Sequence, residues 1–317
     1  MDGFQVRFCG EGYELKDFLK FHPGGINYLS GYKDKDVGLR MESTQHSQSA
    51  FYLLREYREG GRNIEMFKEN EDLEYLVNWN EPMLKQVSNL GTKYSEWVHS
   101  PVNRKLRIFE NPFLESLTIT PWYFVPIVWI PIILYYIHKG HQTYSNIHKE
   151  SNSVIWSVIY LSVGVVMWTL LEYSLHRWVF HLVPSGKSRA LICLHFTIHG
   201  LHHKVPFDTR RLVFPPIPAI FILVLGHTLL SSIIPKSMIH LLLGGIISGY
   251  LIYDMIHFYL HYGTPDIGGY LYNMKRIHNQ HHFTHHDAAF GISSNCWDKL
   301  FGTIIYLRKL GMGIKWN

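Results

Sequence analysis

The sequence predicts a multi-domain chain: a small soluble α+β unit first, then an all-α membrane domain of four spans carrying a histidine-rich cap on its cytosolic side. Three observations predict it. Charge is concentrated in the first 112 residues and long uncharged runs follow, so the mean hydropathy of -0.03 averages two unlike parts. Four of those runs approach or reach the length that crosses a ~30 Å hydrocarbon layer at about 1.5 Å per helical residue. Histidine is abundant, with 21 in the chain and 15 of them between His176 and His286. Other classes are excluded by the same composition. At 47% hydrophobic residues the 317-residue chain is neither disordered nor of low complexity. Its net charge of +5 comes without a Lys/Arg cluster interleaved with aromatics, so nucleic acid is not an expected partner. Cys9, Cys193 and Cys296 are too few and too scattered for a disulfide framework or a thiolate metal site.

Residues 1–80 form the first domain. No apolar leader opens it. A strand-like stretch over residues 4–8 is followed by residues 13–21, the turn His22-Pro23-Gly24-Gly25 and short helical segments. Residues 81–118 read as a connector in which Pro82, Pro101 and Pro112 forbid one long helix. Residues 119–317 form the membrane domain, with spans at about 119–137, 153–171, 213–234 and 238–256, the last including Asp254. Residues 138–152 and 235–237 hold three Lys/Arg, whereas Arg104, Lys105 and Arg107 precede span one and Arg210 and Arg211 precede span three. By the positive-inside rule spans two and four then exit into the cytosol, at His176 and His257, and the histidine clusters share one membrane face.

His22 and His46 are the first constellation. Two imidazoles on one haem iron leave no open coordination position, so such a site passes electrons and does not bind oxygen. Leu15, Phe18, Leu29, Phe51 and Leu54 are available to line an apolar crevice around it. The HPGG turn and the spacing to His46 resemble the cytochrome b5 haem-binding domain over about residues 4–76. That resemblance implies haem b on His22 and His46. The further strand and helix that the family usually has before Phe4 are expected to be missing, so weaker haem retention or stability is expected.

The second constellation falls into four groups: His176 and His181; His195, His199, His202 and His203; His257 and His261; and His278, His281 and His282 with His285 and His286. Spacings of three and four put imidazoles on one helix face. His176 and His181, five apart, suit a helix end or two different metals. His227 and His240, alone within spans, read as hydrogen-bonded core residues, and His138, His141 and His148 as solvated on the far side. Burying some ten imidazoles with no partner would strand many polar groups, so metal is the expected occupant. Ten nitrogens exceed the needs of one ion and imply two, with about five ligands each. Imidazole suits several metals; an attached haem favours iron with O2, though zinc fits the same ligands. Glu172, Asp208, Asp254 and Asp287 are candidates for orienting the imidazoles from behind.

With HPGG, the motifs HRWVFH (176–181), HGLHH (199–203), HFYLH (257–261) and HNQHH (278–282), supported by RLVFPP (211–216) and FGIS (290–293), resemble the fatty acid 2-hydroxylases of the fatty acid hydroxylase superfamily. The resemblance implies a di-metal centre bound by His176, His181, His199, His202, His203, His257, His261, His278, His281 and His282, with His195, His285 and His286 behind it. It further implies O2-dependent hydroxylation at carbon 2 of an acyl chain for sphingolipid synthesis in the endoplasmic reticulum membrane. The acyl chain is a free fatty acid, an acyl-CoA or a ceramide, and electrons come from a cytochrome b5 reductase-type donor through the fused haem. Two alternatives stay open at this point: a sterol oxidase or desaturase of the same superfamily, and a haem-binding membrane adaptor with a structural metal site.

Overall fold

The computed structural model describes residues 3–44, 46–61, 72–149 and 151–307; residues 62–71 of the expected first domain lie outside the described residues. The chain begins with a hairpin of β1 (Gln5–Phe8) and β2 (Glu11–Glu14), closed by Cys9 and Gly10, both at positive φ as a tight hairpin turn demands. Alternation along β1 buries Val6 and Phe8 and exposes Gln5 and Arg7. Helices α1 (Ile26–Ser30), α2 (Gly38–Ser43) and α3 (Gln48–Leu54) follow, and Val6, Phe8, Tyr13, Leu15, Val37 and Leu54 form their common core.

The segment read as a connector carries α4 (Met83–Ser88), α5 (Tyr94–Val98) and α6 (Pro112–Ser116). Its prolines keep these helices short. The segment is not a loose spacer, however. Met83 and Val87 sit one turn apart on one helix, Tyr94, Trp97 and Val98 on one face of the next, and all five are fully or almost fully buried against Ile192, Phe196 and Leu201. Burying aromatic and aliphatic side chains of this size stabilises by about 1.5–3 kcal/mol each, which fixes the segment to the cap.

Next come α7 (Phe124–His148), α8 (Ser153–Leu175), α9 (Arg189–His195), α10 (Leu201–Lys204), α11 (Pro216–Ser231), α12 (Lys236–Tyr262), α13 (Tyr270–Phe283) and α14 (Cys296–Phe301). The four longest overlap the four expected spans, with shifted bounds. The first begins at Phe124 and not at 119, because the residue before Pro121 is held out of the helix and the Thr120 N–H donates to Arg210 O at 2.8 Å. Among the described residues, the helix through Ser153–Phe180 and Lys236–Tyr262 are long and apolar enough to cross a membrane; α11 is apolar but only 16 residues long. Helix α12 packs chiefly on α8 and α7. Gly164 and Gly245 make the α8–α12 crossing close: a Cβ on Gly164 would run into Leu242 O, and one on Gly245 into Leu161 O.

Short connections reverse the chain after α7 and after α11, so the starts of α7 and α11 and the ends of α8 and α12 share one end of the bundle. Phe214 N–H, just before α11, donates to Asp254 near the end of α12 at 3.3 Å and ties the pairs together. Helix α12 is about 40 Å long at about 1.5 Å per residue, so its last turns, with His257 and His261, rise beyond the apolar part of the bundle. The helices α9, α10 and α13 and the N-terminal unit all gather at this end.

Candidate metal centre

The ten histidines converge as two groups of five. His176, His181, His199, His203 and His281 form one, and His202, His257, His261, His278 and His282 the other, with the ligand-capable atoms of each group within 4.8 Å of one another. Nine of the ten are buried, His181 being partly so. In the first group the Nε2 atoms of His176, His181 and His199 form a closed triangle of 3.1–3.2 Å, and His203 Nε2 lies 3.0 Å from that of His199. In the second, His257 and His202 approach to 3.0 Å, and His261 and His278 to 2.8 Å. Two nitrogens each about 2.0–2.1 Å from one ion stand about 2.9 Å apart at a right angle and about 3.4 Å apart at a tetrahedral one. The observed spacings match. Three nitrogens in a closed triangle cannot all be satisfied by hydrogen bonds to one another, whereas a cation among them satisfies every lone pair.

Local backbone explains how motifs with awkward spacing meet. Residues His176–Phe180 form a π-helical turn in which His181 N–H donates to His176 O at 3.1 Å, so the residue five places on stacks over the first. His176 and His181 therefore fall in one group at the end of the α8 helix, which agrees with the helix-end alternative and not with the two-metal one. A second π-turn, Phe196–Gly200, leads directly into α10 and brings His199, His202 and His203 inward. On α10 the adjacent His202 and His203 point to different groups, as do His281 and His282 on α13, because successive helical residues lie about 100° apart.

Backbone carbonyls set the ring orientations. His176 Nδ1–H donates to Phe290 O at 2.5 Å and His281 Nδ1–H to Ala288 O at 2.7 Å, leaving each Nε2 lone pair to face the centre. Leu212 O and Pro206 O accept from His257 and His261. Burial, reinforced by neighbouring imidazoles, holds His203 and His282 well below the usual imidazole range, which keeps them neutral and able to ligate.

The carboxylates expected behind the rings act elsewhere. Glu172 touches no imidazole: its oxygens accept from Ile292 N–H (2.7 Å), Ser293 N–H (2.8 Å) and Ser293 Oγ (2.6 Å), anchoring the loop whose Phe290 O holds His176. Asp254 accepts from Phe214 N–H and Tyr250 Oη, Asp208 pairs with Arg211, and Asp287 is exposed. His285 is exposed as well. His195 is buried with Nδ1 2.5 Å from Tyr94 Oη. His286 stacks on His99 at 4.1 Å between ring centres, and both approach His203. Burial lowers His195 and His286 to about 4.

Two residues escaped the sequence reading. His99, a lone histidine in a polar-looking segment, carried no spacing signal. Asp298 accepts from Phe290 N–H (2.8 Å), Gly291 N–H (2.9 Å) and Thr303 Oγ1 (2.8 Å) and shares with Glu172 the task of shaping the 290–293 loop. Of the two isolated span histidines, His227 accepts or donates at Nδ1 to Tyr136 Oη at 2.8 Å, and His240 packs on both rings. Directly after His203, Lys204 is fully buried; its Nζ reaches Glu74 Oε1 and Ser100 O, each at 2.6 Å, and lies 4.4 Å from the Trp97 ring centre.

A second histidine site lies in the N-terminal unit. The rings of His22 and His46 face each other with centres 6.2 Å apart across a cavity of about 560 Å³. Gly24 makes room for the first ring, since a Cβ there would lie 3.2 Å from His22 Cε1. His46 Nδ1–H donates to Met41 O at 3.0 Å, which leaves its Nε2 free. Burial, with His46 adding to it, lowers His22 to about 4.

Comparison with known proteins adds to this geometry. The fatty acid hydroxylase family model matches residues 161–303. A fatty acid 2-hydroxylase of Rattus norvegicus is 37% identical over an alignment covering 95% of this chain and 91% of that protein. A dihydroceramide fatty acyl 2-hydroxylase of Arabidopsis thaliana is 39% identical, covering 73% of this chain and 94% of that protein. A solved structure, described as full-length scs7p with only the hydroxylase domain visible, superposes with a TM-score of 0.66 at 28% identity, covering 81% of this chain and 93% of that one.

Proposed function

Because the chain belongs to the fatty acid hydroxylase family, we propose that it is a membrane fatty acyl 2-hydroxylase, a monooxygenase that places a hydroxyl on carbon 2 of acyl chains destined for sphingolipids. The observation that carries the reading is the pair of five-imidazole groups at one end of an apolar helical bundle, in a chain whose relatives bear that name. Two iron ions held by His176, His181, His199, His203 and His281, and by His202, His257, His261, His278 and His282, supply the activation of O2 for C–H hydroxylation; zinc fits the same ligands.

The chain's own residues do the rest. Phe290 O and Ala288 O fix the tautomers of His176 and His281, and Glu172 and Asp298 hold the loop that carries the first of these carbonyls. The packed wall of Tyr94, Trp97 and Phe196 behind α10 keeps water from that side of the centre.

Four spans agree with the outer surface of the bundle. Val158, Val166 and Met167 on α8, Ile127 and Leu134 on α7, and Phe221 and Leu225 on α11 are all exposed; in water such a continuous apolar surface would drive association, and in lipid it is at home. Trp122, Tyr123 and Trp178 stand exposed at the metal end, where an aromatic belt meets headgroups. A centre at headgroup depth would lie level with carbon 2 of a lipid acyl chain whose tail runs into the bilayer, which supports this reading. The basic residues Arg104, Arg107, Arg210 and Arg211 beside the same end support a cytosolic face of the endoplasmic reticulum membrane, with the acyl group presented as fatty acid, acyl-CoA or ceramide.

Residues 1–80 serve as a cytochrome b5-like domain that takes electrons from a reductase. Two imidazoles bound to one iron at about 2.0 Å have ring centres about 6.3 Å apart, and His22 and His46 stand at 6.2 Å. The cavity between them lies within the range of about 300–1,000 Å³ typical of cofactor sites and is mostly apolar.

The test is lipid analysis of cells expressing the protein under ¹⁸O2. Expected is a rise in 2-hydroxy acyl chains in sphingolipids carrying the label from O2. Oxidised sterols or new double bonds without 2-hydroxy product would overturn the assignment.

A further inference from the structure

The cavity between His22 and His46 is not closed by the N-terminal unit alone. Phe207, Arg276, Asn279, Gln280, Phe283 and Thr284, all from the membrane domain, form its remaining wall. Four of these, Arg276, Asn279, Gln280 and Phe283, follow the i, i+3, i+4, i+7 pattern of one face of α13. His278, His281 and His282 lie on the opposite face and belong to the two five-imidazole groups. One helix, about 10–12 Å across with its side chains, therefore carries residues of both sites on its two faces.

An aromatic series runs around the edge of that helix. Phe207 packs on Phe21 (ring centres 4.7 Å) and Phe18 (6.0 Å) of the N-terminal unit, and Phe18 in turn on His22 at 6.2 Å. On its other side Phe207 stacks on Phe283 at 6.3 Å, and Phe283 lies 6.2 Å from the ring of His282. Lys20 Nζ sits 4.7 Å from the centre of the Tyr262 ring, adding a cation–π contact to the same seam. Arg40 and Arg276 line the cavity from its two sides, cationic groups suited to the carboxylates of a haem.

We propose that Phe207 and the outward face of α13 are the docking surface that receives the haem of this chain's own N-terminal domain, and that electrons cross α13 directly into the second group, His202, His257, His261, His278 and His282. The proposal rests on the functional reading above and adds to it a route and a surface. With haem held by His22 and His46 and iron by the second group, each crossing would be a one-electron step in which the ferrous haem would be oxidised to ferric and one ferric ion of the centre reduced to ferrous, with no bond made or broken. Two crossings serve one hydroxylation, the haem being reduced again by a flavoprotein reductase or, in vitro, by dithionite. Phe207 is a positioning residue here. It binds neither metal nor substrate, and it packs on Phe18 and Phe21 of the N-terminal unit on one side and on Phe283 of α13 on the other.

The experiment follows the Soret band of the full-length, metal-loaded holoprotein. Haem is reduced with one equivalent of dithionite, then mixed in a stopped-flow cell with O2 and a vesicle-borne ceramide. Wild type is expected to reoxidise at a rate independent of protein concentration. Phe207→Ala and Phe207→Leu, the second keeping an apolar side chain but not the ring, are expected to slow reoxidation about tenfold or more while keeping the spectrum, haem content and non-haem metal content of wild type. Phe221→Ala, on the exposed face of α11, is expected to reoxidise as wild type does. Unchanged rates in both Phe207 variants, or a wild-type rate that grows with protein concentration, would overturn the docking surface. A wild type that binds no haem would overturn the docking surface, and one that yields no 2-hydroxy product under O2 with NADH and a flavoprotein reductase as the electron source would overturn the functional reading itself. Product formed with normal yield alongside unaltered Phe207 variants would remove the docking surface alone.

Discussion

Between His22 and His46 the ring centres stand 6.2 Å apart across a cavity of about 560 Å³, whereas on the far face of α13 ten imidazoles bring nitrogens to 2.8–3.2 Å of one another. The same side chain is thus set at two densities. A wide pair with an apolar slot between suits a flat macrocycle around one iron; a tight pentad with carbonyls behind it suits a bare ion. The difference lies in what surrounds the rings. Around His22 the neighbours are Gly24 and aromatic walls that keep the space open. Around the pentads, two π-turns and the 290–293 loop drive rings inward until only an ion's volume is left.

Substitution at the dense site breaks this contrast most severely. His202→Ala removes a ligand of the second group, and non-haem metal is expected to fall to roughly one ion per chain, with 2-hydroxy product falling below detection. Metal analysis and lipid profiling read both. An active variant with full metal content would dissolve the assignment of that group.

At the wide site the loss is spectral and only partly functional. His22→Ala and His46→Ala are expected to abolish the low-spin Soret absorption and its change on dithionite reduction, while the non-haem metal stays at the wild-type level. Turnover in cells drops and recovers in part when a separate membrane cytochrome b5 is co-expressed. Simultaneous loss of both metals would mean that the two sites are not separate devices.

A smaller effect sharpens the role of the supporting loop. Glu172→Gln weakens three contacts to Ile292 and Ser293 without touching an imidazole. Metal affinity, measured by chelator competition, is expected to drop about 10–100-fold, the range for residues that orient ligands. His285→Ala, at an exposed position, is expected to leave affinity as it was.

Sequence legibility followed the same divide. Spacing of i, i+3 and i+4 made most of the histidine clusters readable as helix faces, span order and Lys/Arg placement made their shared end readable, and the family resemblance singled out the ten. Their division between two groups was not readable. It depends on neighbours such as His202 and His203 diverging around α10, and on a π-turn that aligns His181 with His176 where α-helical geometry would separate them. His99 came from a segment with no periodic signal, and its place beside His203 and His286 follows from the buried packing of α5. Acidic residues misled for a related reason: sequence shows a carboxylate near a motif but not that it spends its oxygens on backbone amides, as Glu172 and Asp298 do.

Lys204 has a consequence for how this protein can be taken apart. Its ammonium, directly after the metal-group histidines of α10, is neutralised by Glu74 from the far side of the expected domain boundary at residue 80. A fragment begun after that boundary would keep the cation and lose the Glu74 carboxylate, and breaking a buried ion pair by removing one partner costs about 3–5 kcal/mol. The N-terminal unit and the helical bundle are therefore not interchangeable cassettes joined at a seam. A recombinant hydroxylase fragment that retains residues 72–80, or replaces Lys204 with Met, should outlast one trimmed at the boundary itself.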